Sequence, residues 1–251
     1  MFALSDIHVD HEANAKWIAN LSAADYQEDV LILAGDATSR LGLLSWCLST
    51  LARRFKKLLF IPGNHELWTI GEDRGKNSLE KFDDVVAAAQ SSGASMRAFR
   101  APGLSIIPLL AWYDYSFGDP SEELRSIWAD YHVCRWPGGL TDRDIAAHFA
   151  RLNNNQLNTT GDVVITYSHF LPRIDLIPPF VPKTRRVLCP VLGSIAIEGQ
   201  LRRLRSNIHI YGHSHVNRYV TIEGIRYVNN AFGYPCETLF TAKQLACVYQ
   251  S

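Results

Sequence analysis

Residues 58–66 have the sequence Leu58-Leu59-Phe60-Ile61-Pro62-Gly63-Asn64-His65-Glu66, in which an apolar run changes abruptly into polar side chains. The four apolar residues predict a strand that is buried on both faces, and the Pro-Gly pair ends it. Asn64 and His65 therefore follow directly after a strand end, where the backbone holds side chains better than a mobile loop does. The stretch predicts a site at the carboxyl edge of a sheet.

The same pattern occurs at four other places in the chain. In each, polar residues follow an apolar run: Asp6-Ile7-His8, Gly35-Asp36, Ser168-His169 and Gly212-His213-Ser214-His215. A single motif of this kind is ordinary surface or core polarity, but five of them at strand ends predict a metal site. The candidate ligands are Asp6, His8, Asp36, Asn64, His169, His213 and His215.

The first third of the chain alternates between strand and helix patterns. Strands are expected at 2–5, 30–34 and 58–61, with helices at 13–21 and 41–54. This order implies right-handed crossovers and a largely parallel sheet, so that Asp6, Asp36 and Asn64 meet beyond the strand ends. Further helices are expected at 76–91, 141–157 and 194–205, strands at 104–111, 163–167, 208–211 and 245–249, and a hairpin at 219–228.

Two segments lack a clear period. Residues 112–140 are rich in Trp, Tyr, Gly and Pro and predict an elaborated loop or cap near the site. Residues 170–193 contain five prolines and predict a structured loop rather than a helix. No linker-like composition or internal repeat divides the chain, so we expect one domain over residues 1–251, with the cap at about 112–140.

Composition excludes several classes of partner. The 251 residues include 25 Lys and Arg against 25 Asp and Glu, so there is no basic field to attract nucleic acid or a membrane surface. No apolar run approaches the length that spans a bilayer, and the start of the sequence does not resemble a secretory signal. The five cysteines are scattered without CxxC spacing. We therefore expect a cytoplasmic protein with reduced thiols.

The mixture of ligand types indicates the metal chemistry. Aspartate, asparagine and histidine together favour a borderline divalent cation such as Mn, Fe or Zn. Seven ligands are too many for one ion with an open position, but they suit two ions that share a carboxylate, which we predict to be Asp36. Such ions polarise a phosphoryl group and lower the pKa of a bridging water, so that hydroxide attacks near neutral pH. His65, beside Asn64, is the expected proton donor to the departing oxygen.

The ordered set Asp-x-His, Gly-Asp, Gly-Asn-His-Glu, His and Gly-His-x-His resembles the calcineurin-like metallophosphoesterase superfamily, from Asp6 to His215. The resemblance implies an α/β fold with a central β-sandwich of mixed sheets flanked by helices on both sides. It also implies a dinuclear centre, with His65 as transition-state stabiliser or general acid. It assigns one metal to Asp6, His8, Asp36 and His215, and the other to Asp36, Asn64, His169 and His213.

The sequence departs from the protein phosphatase branch of that superfamily. Ser39 stands where that branch has the Asp that orients the catalytic His, so the group that orients His65 is open. Arg40 stands where the branch has a phosphate-binding Arg. Residues 168–173 and 233–237 look like an uncharacterised bacterial and plant branch instead.

Five residues are candidates for substrate contacts: Arg40, Trp112, Arg173, Arg185 and Arg186. Trp112 would stack on a ring, although such aromatics also pack loops onto sheets. The arginines of the Pro-rich loop would grip a phosphate or acidic group, although a solvated basic turn has the same pattern. We expect the histidines outside the motifs to be ordinary surface or packed residues (His11, His132, His148 and His209), although His11 is close enough to the first motif to line the rim of the site.

The predicted activity is hydrolysis of a small soluble phosphate ester, with a phosphomonoesterase slightly favoured. A phosphodiesterase acting on a cyclic nucleotide or similar diester is the alternative. A nuclease is disfavoured, because the chain has no Lys/Arg stripe interleaved with aromatic residues. A non-catalytic scaffold of the same fold would be expected to lose ligands or His65, and all of them are present. The sequence does not indicate an oligomeric state.

Overall fold

The structure is a computed structural model that describes residues 1–157 and 163–250. The strands are β1 (Phe2–Leu4), β2 (Val30–Ala34), β3 (Lys57–Ile61), β4 (Ala94–Ser95), β5 (Phe99–Ala101), β6 (Leu104–Pro108), β7 (Val163–Tyr167), β8 (Ile208–Tyr211), β9 (Arg218–Ile222), β10 (Ile225–Asn229) and β11 (Ala246–Cys247). The α-helices are α1 (Glu12–Asn20), α2 (Leu41–Ala52), α3 (Ser78–Ser91), α4 (Glu122–Ile127), α5 (Asp130–Val133), α6 (Asp142–Leu152) and α7 (Ile195–Arg203).

The strands form two mixed sheets. The first has the order β11-β1-β2-β3-β4, in which β1 to β4 run parallel and the edge strand β11 is antiparallel. The second has the order β5-β6-β7-β8-β10-β9, with a parallel centre and an antiparallel strand at each edge. Both parallel centres point their carboxyl ends toward the polar motifs, as the strand–helix alternation predicts.

The core between the two sheets is mostly aliphatic, with Tyr167 among its buried residues, and contains side chains from both sheets. In β2, Ile32 and Ala34 point into this layer, whereas Leu31 and Leu33 point to the opposite face. Because successive side chains in a strand alternate between faces, a strand that is apolar throughout must be covered on both sides. The uniform apolar run at 30–34 therefore marks a strand in the interior of a layered fold.

Helices cover the outer faces. The outer face of the first sheet packs against α1, α2 and α3 through side chains such as Ile18, Leu48 and Val85. The outer face of the second sheet packs against α6 and α7 and against the segment that follows β6. The layers therefore run helix, sheet, sheet, helix, which confirms the expected α/β sandwich.

Most expected elements are present with small shifts at their ends. The helix expected at 141–157 begins with Thr141, whose side chain caps it together with Asp144, and its α-helical part ends at Leu152. The segment 112–140 contains α4 and α5. Strands β4 and β5 are missing from the sequence-based expectation because two or three residues are too few to show a period. In the described residues, no helix is both long and apolar enough to cross a membrane.

Candidate active site

The polar motifs lie where the backbone leaves the strands in a left-handed conformation. Among the described residues, eight other than glycine have positive φ, and five of them are candidate ligands. These five are Asp6, His8, Asp36, His213 and His215. Positive φ is unfavourable for residues with a side chain, and it persists only where the surroundings enforce it. The concentration of such residues after three strand ends, those of β1, β2 and β8, is typical of a functional site.

Two glycines let the strand ends approach one another. A Cβ at Gly63 would lie 2.7 Å from Nε2 of His169 and would collide with the Asp36 carboxylate. Gly35 has φ +83°, and a Cβ there would collide with the ring of His169. Glycine is therefore required at both places for two sheets to bring these side chains into contact.

One group of candidate ligands consists of Asp6, His8, Asp36 and His215, whose ligand atoms all lie within 4.8 Å of one another. Nε2 of His8 lies 3.1 Å from Nε2 of His215, and Nε2 of His215 lies 3.3 Å from the Asp6 carboxylate. Three of the four residues are buried and the fourth is partly buried. The group is the one that the resemblance implies for the first metal.

A second group consists of Asp36, His169 and His213. Nε2 of His169 lies 3.3 Å from the Asp36 carboxylate and 3.1 Å from Nδ1 of His213. The side-chain oxygen of Asn64 is 3.2 Å from the same Nε2. Asp36 therefore lies between the two groups, at the place where a bridging carboxylate is expected.

Hydrogen bonds to the fold orient three of the imidazoles. Nδ1 of His169 donates to the carbonyl oxygen of Ala34 at 2.9 Å, and Nε2 of His213 donates to that of Val191 at 3.0 Å. Nδ1 of His215 donates to the Glu237 carboxylate at 2.6 Å. In each ring the other nitrogen then faces the cluster, which is the arrangement of histidines that bind metals.

The inward nitrogens give a test of whether these residues suit a cation. Two nitrogens of His169 and His213 face each other at 3.1 Å, although each already donates through its other nitrogen. Facing lone pairs in a buried site repel one another unless a cation or proton lies between them. The donor set of carboxylate, amide oxygen and imidazole is also the one that suits Mn, Fe or Zn. The residues therefore fit a pair of divalent ions.

Burial and charge shift the pKa values of these groups in opposite directions. Burial lowers the pKa of His8 and of His213 to about 3, so both are neutral and able to ligate at pH 7. Burial also acts to lower the pKa of His169, but the facing Asp36 carboxylate raises it to about 9. Against the same effect of burial, Asp6 raises the pKa of His215 to about 10. Metal binding at this cluster would therefore release protons.

His65 is held by an aromatic ring. Its imidazole stacks on the indole of Trp68, with ring centroids 3.7 Å apart and an interplanar angle of 28°. The Trp68 indole N–H donates to the buried Asp130 carboxylate at 2.7 Å, and the Asn64 amide donates to it at 2.9 Å. Asp130, for which the sequence indicates no role, therefore fixes both a candidate ligand and the ring beneath the candidate proton donor.

Glu66 links the two loops that carry Asp36 and Asn64. Its buried carboxylate accepts backbone N–H bonds from Asp36, Ala37, Thr38 and Gly63, at 2.6–3.0 Å. A carboxylate that accepts several backbone N–H groups is a strong structural anchor. The sequence identifies Glu66 only as part of the motif, since three of these four partners lie about thirty residues away.

The prediction that Trp112 contacts substrate is wrong. Its side chain is fully buried, packs against Trp136 and Phe170, and donates its indole N–H to Asp142 at 2.9 Å. Tyr113 beside it is also fully buried. The aromatic residues of this segment form the core beneath the cap, which is the packing alternative that the sequence left open.

The prediction that Arg173 binds a phosphate or acidic group of the substrate is also wrong. Its guanidinium forms ion pairs with Asp175, Glu198 and Glu223 at 2.9–3.3 Å and has no free edge for a phosphate. Arg40 lies exposed at the start of α2 and lines neither of the two clefts beside the cluster. Arg185 and Arg186 do line one of these clefts.

Two clefts adjoin the cluster. The histidine cleft, of about 600 Å³, is lined by His8, Asp10, His11, Ser39, His65, Trp68 and residues 234–236. The apolar cleft, of about 550 Å³, is lined by side chains from residues 177–192, 214–216 and 236–240. They meet at the pair formed by His8 of the first and His215 of the second. His11, which the sequence places close to the first motif but for which an ordinary surface or packed role was expected, lines the histidine cleft.

Comparisons with known proteins agree with this geometry. A family model described as calcineurin-like phosphoesterase matches residues 2–217. The acyl-carrier-protein phosphodiesterase PptH of Mycobacterium tuberculosis is 28% identical over 261 aligned positions, which cover 94% of this chain and 78% of the relative. The crystal structure of phosphopantetheinyl hydrolase (PptH) from the same organism has a TM-score of 0.79 at 24% identity, over 94% of this chain and 90% of that one. This last likeness concerns the fold.

Proposed function

Because the chain belongs to the calcineurin-like phosphoesterase family, we propose that it is a metal-dependent phosphodiesterase whose substrate carries a phosphopantetheinyl group on a carrier protein. The family uses a dinuclear divalent metal centre, and the two groups of candidate ligands that share Asp36 support such a centre here. The substrate class is suggested by the relative, which acts on an acyl carrier protein.

The observation that carries the diester proposal is the meeting of two clefts at one cluster. A phosphodiester has two substituents on one phosphorus atom, and each of them needs a space that leads away from the metals. A monoester has a single substituent and would use one cleft. His8 in one cleft and His215 in the other are 3.1 Å apart, so one phosphate could reach into both.

The charges near the cluster also favour a diester over a monoester as substrate. A dianionic monoester needs more positive charge than a monoanionic diester does. Among the described residues that line the histidine cleft there is no Lys or Arg, and Arg173 is neutralised by three carboxylates. The monoester preference drawn from the sequence relied on the Arg-bearing loop, in which Arg173 is paired with carboxylates while Arg185 and Arg186 line the apolar cleft.

The residues have separable roles in this proposal. Asp6, His8, Asp36 and His215 would hold one ion, and Asp36, Asn64, His169 and His213 the other. Bound divalent ions polarise the phosphoryl group and lower the pKa of water. His65 lies in the histidine cleft with its Nε2 3.8 Å from Asp36, and there it would donate a proton to the departing alcohol oxygen. The leaving alcohol therefore belongs in the histidine cleft.

The test is a comparison of substrates with added manganese. We expect bis-p-nitrophenyl phosphate to be hydrolysed at least about tenfold faster than p-nitrophenyl phosphate in kcat/KM, and phosphopantetheine to be released from a holo-carrier protein. Asp36→Asn should abolish both activities, whereas Asp119→Asn, at an exposed position, is the matched control. Preference for the monoester would overturn the diester proposal and support the preference drawn from the sequence.

A further inference from the structure

The apolar cleft has the lining of a binding site for a slender, mostly apolar chain. Its side chains include Ile177, Val181, Leu188, Leu192, Val216 and Phe240. A cavity of about 550 Å³ with an apolar lining and a few polar groups is of the size and composition that binds small ligands. The charged residues in the lining are Arg185, Arg186, His215 and Glu237.

The cleft is tied to the candidate ligands on two sides. The carbonyl oxygen of Val191, in the segment 177–192, accepts the hydrogen bond from His213 at 3.0 Å. Glu237, in the segment 236–240, accepts the hydrogen bond from His215 at 2.6 Å. The two segments contact each other through the stacked rings of Phe180 and Phe240, whose centroids are 6.2 Å apart. The position of the cleft relative to the cluster is therefore fixed by the same bonds that orient the ligands.

Arg185 and Arg186 supply hydrogen-bond donors inside this lining. Both side chains are exposed, and within the described part of the chain neither forms an ion pair. Guanidinium N–H groups beside an apolar wall suit an uncharged chain of methylene groups that carries carbonyl acceptors. Glu237 in the same lining already accepts a hydrogen bond from His215 and is not directed to these arginines.

We propose, on the basis of the function proposed above, that the apolar cleft binds the amide-bearing arm that stays attached to phosphorus and thereby determines which diesters are cleaved. The leaving alcohol lies on the other side, in the histidine cleft beside His65. Arg185 and Arg186 donate hydrogen bonds to the carbonyl groups of the arm, and Val181 and Leu188 cover its methylene groups.

The experiment compares the binding of two probes to the manganese-loaded protein by calorimetry. We expect 4′-phosphopantetheine to bind at least about tenfold more tightly than inorganic phosphate, since only the first carries the arm. Val181→Trp, which fills the cleft, should remove most of this gain. The double change Arg185→Ala/Arg186→Ala, which leaves the apolar lining intact, should reduce it by about threefold or more.

Two control variants lie outside both clefts. Leu140→Trp adds the same bulk at an exposed position, and Arg97→Ala/Arg100→Ala removes two exposed arginines elsewhere. Both control variants should keep the full difference in affinity between 4′-phosphopantetheine and inorganic phosphate. Equal affinity of the wild-type protein for the two probes would overturn the inference, as would a gain that survives in both cleft variants.

The outcome is separable from that of the proposed function. Hydrolysis of bis-p-nitrophenyl phosphate without tighter binding of 4′-phosphopantetheine than of inorganic phosphate would support the proposed activity and overturn the inference. Tighter binding of 4′-phosphopantetheine without any diesterase activity would support the apolar cleft as an arm-binding site and refute the proposed reaction.

Discussion

His65 takes its orientation from a ring rather than from a carboxylate. Ser39 occupies the place where the protein phosphatase branch has an orienting Asp, and the structure puts the Trp68 indole against the imidazole instead. The backbone N–H of His65 also donates to Asp36 at 3.1 Å, which fixes the residue beside the proposed bridging ligand. At the residue scale, the proposed mechanism places proton donation and metal binding on neighbouring but different side chains.

Replacing His65, the proposed proton donor, should separate these two roles. We expect His65→Ala to keep its metals but to lose about a hundred- to ten-thousandfold in kcat on a diester with a poor leaving group. Metal content by mass spectrometry and kcat measured on the same preparation check this. His148→Ala, outside both clefts, is the control. Metal loss in His65→Ala would show that this residue is a ligand instead.

Removing the ring beneath His65 should have a smaller effect of the same kind. An aromatic pair contributes about 0.5–1.5 kcal/mol beyond simple burial, so Trp68→Ala should lower kcat by about two- to tenfold. Trp68→Phe keeps a ring and should restore most of the rate, although it lacks the N–H that Asp130 accepts. If Phe were no better than Ala, the hydrogen bond to Asp130 rather than stacking would position His65.

At the scale of elements, the segment between β6 and α6 is fixed by the start of a helix. Asp142, the first residue of α6, accepts the indole N–H groups of Trp112 and Trp136 and the hydroxyl of Tyr115. Trp112 is fully buried, and Trp136 and Tyr115 are partly buried, so that losing the shared acceptor would cost free energy. The aromatic segment is therefore a packed cover over the second sheet.

Asp142→Ala should consequently destabilise the fold without changing the chemistry. Leaving buried donors unsatisfied costs about 1–3 kcal/mol for each group, so we expect a loss of about 2–4 kcal/mol in the free energy of unfolding. Urea denaturation measures it, with Asp119→Ala at an exposed position as control. An unchanged midpoint would mean that other groups or water satisfy the indoles.

At the scale of the whole molecule, the cluster joins the two sheets. Asp6, Asp36 and Asn64 follow strands of the first sheet, and His169 and His213 follow strands of the second. Ions bound between them would connect strand ends from different layers. Ligands that bind only the folded state stabilise it in proportion to their occupancy.

Chelation should therefore lower the melting temperature. With metal at about a thousand times its Kd, the linkage contributes about 4 kcal/mol, or roughly 8–16 °C for a chain of this size. A thermal scan with and without a chelator measures the shift, and readdition of manganese should reverse it. Asp36→Asn should show little response to the chelator. If chelation left the melting temperature of the wild-type protein unchanged, this would argue against the binding of two metal ions by the cluster.

The substrate contacts show where sequence patterns fail. The local sequence predicts that Trp112 stacks on a substrate ring, but in the structure its indole N–H donates to Asp142, thirty positions later. The local sequence predicts that Arg173 binds phosphate, but in the structure it forms ion pairs with Glu198 and Glu223. In both cases the deciding partner is distant in the chain, and no local pattern reveals it.

The sequence by itself determined the strand–helix alternation of an α/β fold and the set of candidate ligands, because apolar runs and the polar residues that end them are local and periodic. The β-sandwich was expected from the resemblance to a family and not from these patterns. Only the tertiary structure decided that Asp130 and Trp68 position His65, and that two clefts meet between His8 and His215. The apolar cleft is lined by segments more than twenty residues apart, 177–192 and 214–240. Its shape depends on how the layers pack, and packing brings together residues whose separation along the chain carries no information about their contact.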